Sequence, residues 1–111
     1  TDCSAYDTLV VGTLDIRGRP TERISRFLQG PGHDKPYAAF VTYGMPVWGP
    51  VSTWMCFREI ARLSGRKPLA TFSCPGLHPK YHTYRGHPSP ADLERAYLFG
   101  VKVARRTQGQ P

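Results

Sequence analysis

Three times along this chain an apolar run rich in β-branched and aromatic residues meets a Gly- or Pro-marked loop and then a stretch with helical periodicity. That alternation limits the fold more than any other feature. The first run, Leu9-Val10-Val11, is ended by Gly12 and Thr13. A polar loop, Asp15 to Pro20, follows, and then Ile24, Phe27 and Leu28 at the i, i+3, i+4 spacing of one buried helix face. The second run, Tyr37-Ala38-Ala39-Phe40-Val41-Thr42-Tyr43, enters the loop Gly44 to Pro50. The spacing predicts a helix from about Val51, with Trp54, Phe57, Ile60 and Ala61 inward and Ser64-Gly65 at its close. The third run, Leu69 to Cys74, is broken by Pro75-Gly76. A long loop from Leu77 to His87 leads to Ser89 as N-cap, Pro90 at the first helical position and Asp92 three residues past the cap. Leu93, Ala96, Tyr97, Gly100, Val101 and Ala104 then mark the inner face expected of the last helix.

Strands alternating with helices give an α/β fold with a parallel sheet, here three-stranded and flanked by helices. Short apolar runs without alternation suit strands buried on both faces. The loops after the first two strands lie at the strands' carboxyl ends, where open α/β sheets place ligands. Gly30-Pro31-Gly32 is Gly-rich but precedes a strand, so it reads as a plain turn.

At 111 residues the chain makes one domain, with an ordered core over about 6–106. A mean hydropathy of -0.42 and the lack of any apolar run near the ~20 residues of a membrane span point to a soluble, non-membrane protein. There is no signal-peptide pattern, and Thr1-Asp2-Cys3 reads as a processed or trimmed start. Cys3, Cys56 and Cys74 form no CxxC and cannot all pair within the chain, which favours a reducing, cytoplasmic setting. The net charge is +7 and the pI about 9.7. Because Arg23, Arg26, Arg58, Arg62, Arg95 and Lys102 are scattered over helix faces, an acidic protein partner or an anionic ligand is the expected use of that charge rather than nucleic acid.

The segment YDTLVVGTLDIRGRPTERISRFL resembles the middle of a flavodoxin, where YD-hydrophobic-G-[ST]-P-x-Y-x-G-x-[PS] leads into a helix ending in a Phe-Leu pair. Tyr6, Asp7, Gly12, Thr13, Gly18, Pro20, Phe27 and Leu28 carry the match. Leu14 stands where the family has Pro, and Ile16 where an aromatic often stacks on the flavin. FVTYG is similar to the family's fourth strand and second flavin-side loop. RGHPSPADLERAYLFGVKVA is similar to its closing segment. The resemblance spans about residues 6–106 and implies strands 3, 4 and 5 of the family's 2-1-3-4-5 sheet, that is, an N-terminally truncated flavodoxin-like fold. The first strand and the phosphate-binding loop that captures FMN at a helix N-terminus have no counterpart here. Flavodoxins are usually acidic, so the basic charge is a further departure.

The resemblance implies a cofactor site for FMN or a related flavin at Thr13, Leu14, Asp15, Ile16, Arg17, Gly18, Thr42, Tyr43, Gly44 and Trp48. Tyr43 and Trp48 are the stacking aromatics, with core packing the plainer alternative. Arg17 and Arg19 read either as anion-holding or as solvated loop charges. Candidate catalytic groups are Tyr43, Cys74, His78 and His82, a Cys-His pair requiring hydrogen-bond reach. The cluster His78, Tyr81, His82, Tyr84, Arg85 and His87 has no metal-ligand spacing. Loss of the first strand leaves the strand over residues 8–13 with a bare edge, which predicts a homodimer or hetero-oligomer joined there. Three functions follow as expectations: a redox module completing its flavin site with a second copy or partner, a flavin-free scaffold or regulatory subunit, and a cofactor-independent small-molecule enzyme using the same crevice.

Overall fold

The computed structural model describes residues 2–45, 48–78 and 80–110. Pro46 and Val47 of the second loop, Pro79 of the third, and both chain ends at positions 1 and 111 lie outside them. The element order is β1 (Leu9–Leu14), α1 (Glu22–Gln29), β2 (Tyr37–Tyr43), α2 (Gly49–Ser64), β3 (Thr71–Pro75) and α3 (Pro90–Thr107). The three strands form one parallel sheet in the order β1-β2-β3, with Val11 opposite Ala39 and Ala39 opposite Thr71. The expected α/β class and three-stranded parallel sheet are thus present. No helix among the described residues is long and apolar enough to cross a membrane.

Alternation along β2 sorts the two faces. Tyr37, Ala39 and Val41 point to α1 and α2, where they bury against Val11, Leu28, Cys56, Ile60 and Leu63. Tyr37 is fully buried, and its hydroxyl donates to the Arg66 carbonyl at 2.9 Å, so the core's largest side chain carries no unpaired polar atom. Ala38 faces the other way, into a smaller cluster with Ala70 and Val103 against which Phe99 packs.

On α2, Ile60 and Phe57 face the core as the sequence predicts, but Trp54 does not. Trp54 is 58% exposed, with the Arg58 guanidinium stacked on its ring at 4.9 Å. The buried stripe is Thr53, Cys56, Ile60 and Leu63. Thr53 escapes a hydrophobicity reading because it is polar, yet its hydroxyl donates back to the Gly49 carbonyl at 2.5 Å and leaves its methyl for the core. In α3, Asp92, Ala96, Phe99 and Val103 face the sheet, whereas Leu93, Tyr97 and Gly100 are exposed. The apolar arc of this helix is wider than the sheet beneath it covers.

The two sheet edges are unlike. Leu9 N–H donates to Pro36 O at 2.9 Å and Asp15 N–H to Thr42 O at 3.0 Å. Alternation then turns the N–H and C=O groups of Val10, Gly12 and Leu14 outward, away from β2. On the far edge, Gly76 N–H donates to Tyr43 O, which turns Thr71, Ser73 and Pro75 outward. That edge is blunted: Arg95 donates to Ser73 O at 2.8 Å, Arg106 donates to Leu69 O, and Pro75 has no N–H.

The N-terminus of α3 is closed as the sequence predicts. Ser89 Oγ accepts from Asp92 N–H, and Asp92 Oδ2 accepts from Ser89 N–H at 2.8 Å and lies 2.5 Å from His87 Nδ1. The Ser89 amide, then His87, hold the Asp92 carboxyl down at about 2. The folded pKa lies below the ordinary 3.8, so this group's stabilisation is complete above pH ~4 and disappears as pH falls through about 2. Acid titration of unfolding free energy should show that decline between pH ~4 and ~2, and Asp92→Asn should flatten it. In the larger core, Ile60→Ala should cost about 2–5 kcal/mol in denaturant unfolding, and Leu98→Ala, at an exposed position, no more than ~0.5 kcal/mol.

Candidate functional site

The loops at the carboxyl ends of β1 and β2 are shaped by backbone pairing. Ile16 N–H donates to Arg19 O at 2.8 Å and Arg19 N–H returns to Ile16 O at 3.1 Å. Arg17 (φ 54°) and Gly18 (φ 82°) are the central residues, both at positive φ as in a type I′ turn. Asp15 Oδ1 accepts from Gly18 N–H at 2.8 Å and ties the turn to the strand end. Thr13 Oγ1 donates to Leu14 O and accepts from Thr21 N–H at 3.0 Å, while Thr21 caps α1. The loop therefore has a defined shape before any ligand arrives.

Between this loop and α2 lies a cleft of about 620 Å³. Asp15, Ile16 and Arg17 line it from the first loop, Tyr43, Gly44 and Trp48 from the second, and His78 and Tyr81 from the third. A smaller cavity of about 340 Å³ lies against the same partition and adds Leu14, Thr42 and Leu77. These two spaces bring together Leu14, Asp15, Ile16, Arg17, Thr42, Tyr43, Gly44 and Trp48 from the residues the sequence singles out. The other two stand apart: Thr13 is buried as a loop-to-helix tie, and Gly18 sits against α2. Trp48 is 69% exposed at the mouth, so core packing is not its role.

Ser52 and Met55 also line the cleft and were missed by sequence reasoning. They follow Trp48 at i+4 and i+7, a face of α2 that shows once Trp54 is no longer counted as inward. Tyr43 packs edge-on against Tyr84 at 5.6 Å between centroids, and partial burial, then the neighbouring Tyr84, raises its phenol above the ordinary value.

His78 Nδ1 accepts from the Lys80 and Tyr81 amides, each at 3.1 Å, which assigns the ring proton to Nε2. Its ring stacks on Tyr81 at 4.8 Å. His82 is exposed, at φ 54°, and its amide donates to His78 O. Cys74 lies elsewhere. It is buried and faces α3, lining an apolar groove of about 440 Å³ with Val10, Phe40, Thr42, Asp92 and Phe99. Burial pushes its thiol up, with Asp92 adding to the shift, so it is a protonated thiol at neutral pH. Cys74 and His78 therefore serve different cavities. No group of three or more His, Cys, Asp or Glu side chains among the described residues is placed to hold a metal ion.

Comparison of the chain with protein-family models, with curated proteins and with solved structures gives no match. The site is accordingly characterised by its own chemistry: a slot with one aliphatic wall at Ile16, aromatic groups at Tyr43, Trp48 and Tyr81, and one acidic and one basic side chain at its rim. Such a cleft, mostly apolar with a few polar groups, has the chemistry of a small-molecule site.

Gly49 sets the Tyr43 wall, because a Cβ there would come within 2.4 Å of the Tyr43 ring. Gly49→Ala should push that ring out of position. Proton NMR should report it as loss of the ring-current shifts between Tyr43 and Tyr84, with α2 helicity retained.

Proposed function

We propose that this chain is a flavodoxin-like redox module whose cleft receives the isoalloxazine of FMN or a related flavin, and that a second copy or partner chain joined along β1 completes the site. The observation that carries the reading is the convergence of the β1–α1 and β2–α2 loops on one slot, with eight of the ten residues implied by the resemblance on its walls or those of the adjoining cavity. Backbone groups of Asp15 to Gly18 and of Gly44 meet the polar rim of the ring, and hydrogen bonds there tune its potential. Tyr43 and Trp48 supply stacking in place of the aromatic that Ile16 replaces.

The open edge supports the need for a partner. Among the described residues, Val10 and Gly12 offer unpaired backbone N–H and C=O groups and Leu14 its N–H, the Leu14 carbonyl being taken by the Thr13 hydroxyl, while the β3 edge is blocked by arginine and proline. The adjoining face is apolar, with Val10 57% and Leu93 64% exposed. This same surface favours a second reading, a flavin-free flavodoxin-like subunit that acts as a scaffold through β1 and the α3 groove.

The test is the visible spectrum of the purified protein together with its solution mass. A flavin absorbance accompanying a mass above that of a 12.4 kDa monomer is expected. A colourless assembly that takes up no added flavin would favour the scaffold, and a colourless monomer would contradict both. Leu14→Lys, which places a charge on the outward edge, should lower the association constant by about tenfold or more.

A further inference from the structure

Beside the cleft, the Ile16–Arg19 turn rests directly on α2. A Cβ on Gly18 would lie 3.1 Å from Met55 Cβ, so the turn's two arginines straddle that point. One helical turn further along, Arg58, Glu59 and Arg62 continue the strip, and all of these side chains line a single groove of about 500 Å³. Glu59 is ion-paired with Arg62. Among the described residues Arg17, Arg19 and Arg58 have no carboxylate within ion-pair distance. Arg58 is held out along the helix by stacking on Trp54. Arg17 occupies a left-handed φ of 54°, a conformation that glycine adopts more readily than an L side chain. The strip thus sets four guanidinium groups against one carboxylate, Glu59, which feels both Arg62 and Arg19, and Arg17 and Met55 belong to both spaces.

We infer that this arginine strip is the anion site of the cleft, and that it holds the phosphate monoester of the ligand whose ring lies against Tyr43 and Trp48. The guanidinium fork matches phosphate oxygens with two parallel hydrogen bonds, and charge-assisted bonds of this kind exceed neutral ones. The inference rests on the flavin reading of the cleft and gives that reading a source of phosphate affinity within this chain, in place of a backbone phosphate loop.

Riboflavin, FMN and inorganic pyrophosphate can separate the two claims. FMN should bind about tenfold tighter than riboflavin at low salt, the difference being the phosphate. That ratio should fall towards one in Arg19→Gln/Arg58→Gln, with riboflavin binding unchanged, and should also fall in Arg17→Gly, whose residue lines the ring's cleft as well. Arg17→Gly should unfold at the same temperature or higher, because glycine relieves the positive φ. Arg23→Gln/Arg105→Gln, which removes the same charge elsewhere, should keep the wild-type ratio. Equal affinity for FMN and riboflavin in the wild type, or a ratio that falls equally in the control, would overturn the inference. A short polyglutamate peptide displacing FMN more effectively than pyrophosphate would also overturn it, and would assign the strip to an acidic protein. Pyrophosphate-induced shifts of the Arg17, Arg19 and Arg58 Nε–H resonances without binding of either flavin would support the strip and sink the flavin reading. No flavin binding and no such shifts would overturn both.

Discussion

A parallel sheet has to be covered on both faces and continued or closed at both edges, and this chain meets that requirement on only part of its surface. α1 and α2 seal one face over Val11, Ala39 and Val41. α3 packs on the other face through Phe99 and Val103 and leaves a groove beside Val10, reaching the start of the β1 segment where Thr107 donates to the Thr8 hydroxyl. At β1 the sheet ends in outward-pointing backbone groups at Val10, Gly12 and Leu14, with the Phe40 ring lying over the space that Gly12 leaves. Every functional reading of the molecule starts from this asymmetry, because the cleft between the two loops sits at the carboxyl end of the same strand.

The asymmetry also separates the regions by chemistry. The α1/α2 side holds the well-packed core and, above it, the slot between the two loops. The α3 side holds an apolar groove into which Cys74 and Asp92 face. The Ile16–Arg19 turn links the core side to the charged surface of α2, since its backbone closes on itself while its side chains reach both the slot and the arginine strip. Ligand contacts made by this turn are pre-shaped, which lowers the ordering cost of binding.

Much of the architecture was legible in the sequence, because strand and helix signals here agree with tertiary burial. Leu9 to Val11, Tyr37 to Tyr43 and the Ser89-Pro90-Asp92 start of α3 carry unambiguous local chemistry. The inner face of α2 was legible at Phe57 and Ile60, which join the core, but not at its start: the buried stripe begins with Thr53, whose hydroxyl is satisfied within the helix, whereas Trp54 is large and apolar yet lies outside under Arg58. The same error at Trp54 concealed Ser52 and Met55 on the cleft wall. The separation of Cys74 from His78 was not legible either. It depends on which face of the sheet a strand-end residue takes, and Thr42 and Cys74, register partners in β2 and β3, both point to α3. The arginine strip needed the structure because it joins a loop to a helix some forty residues away.

Amide hydrogen exchange along β1 tests the open edge most directly. For the dilute chain, the account predicts fast exchange at Val10, Gly12 and Leu14 beside slow exchange at Val11 and Thr13, whose amides are paired with β2. It also predicts that the three fast amides become protected at concentrations where the mass shows association. Uniform protection of all five in a monodisperse monomer would contradict it, because the outer side of β1 would then already be paired.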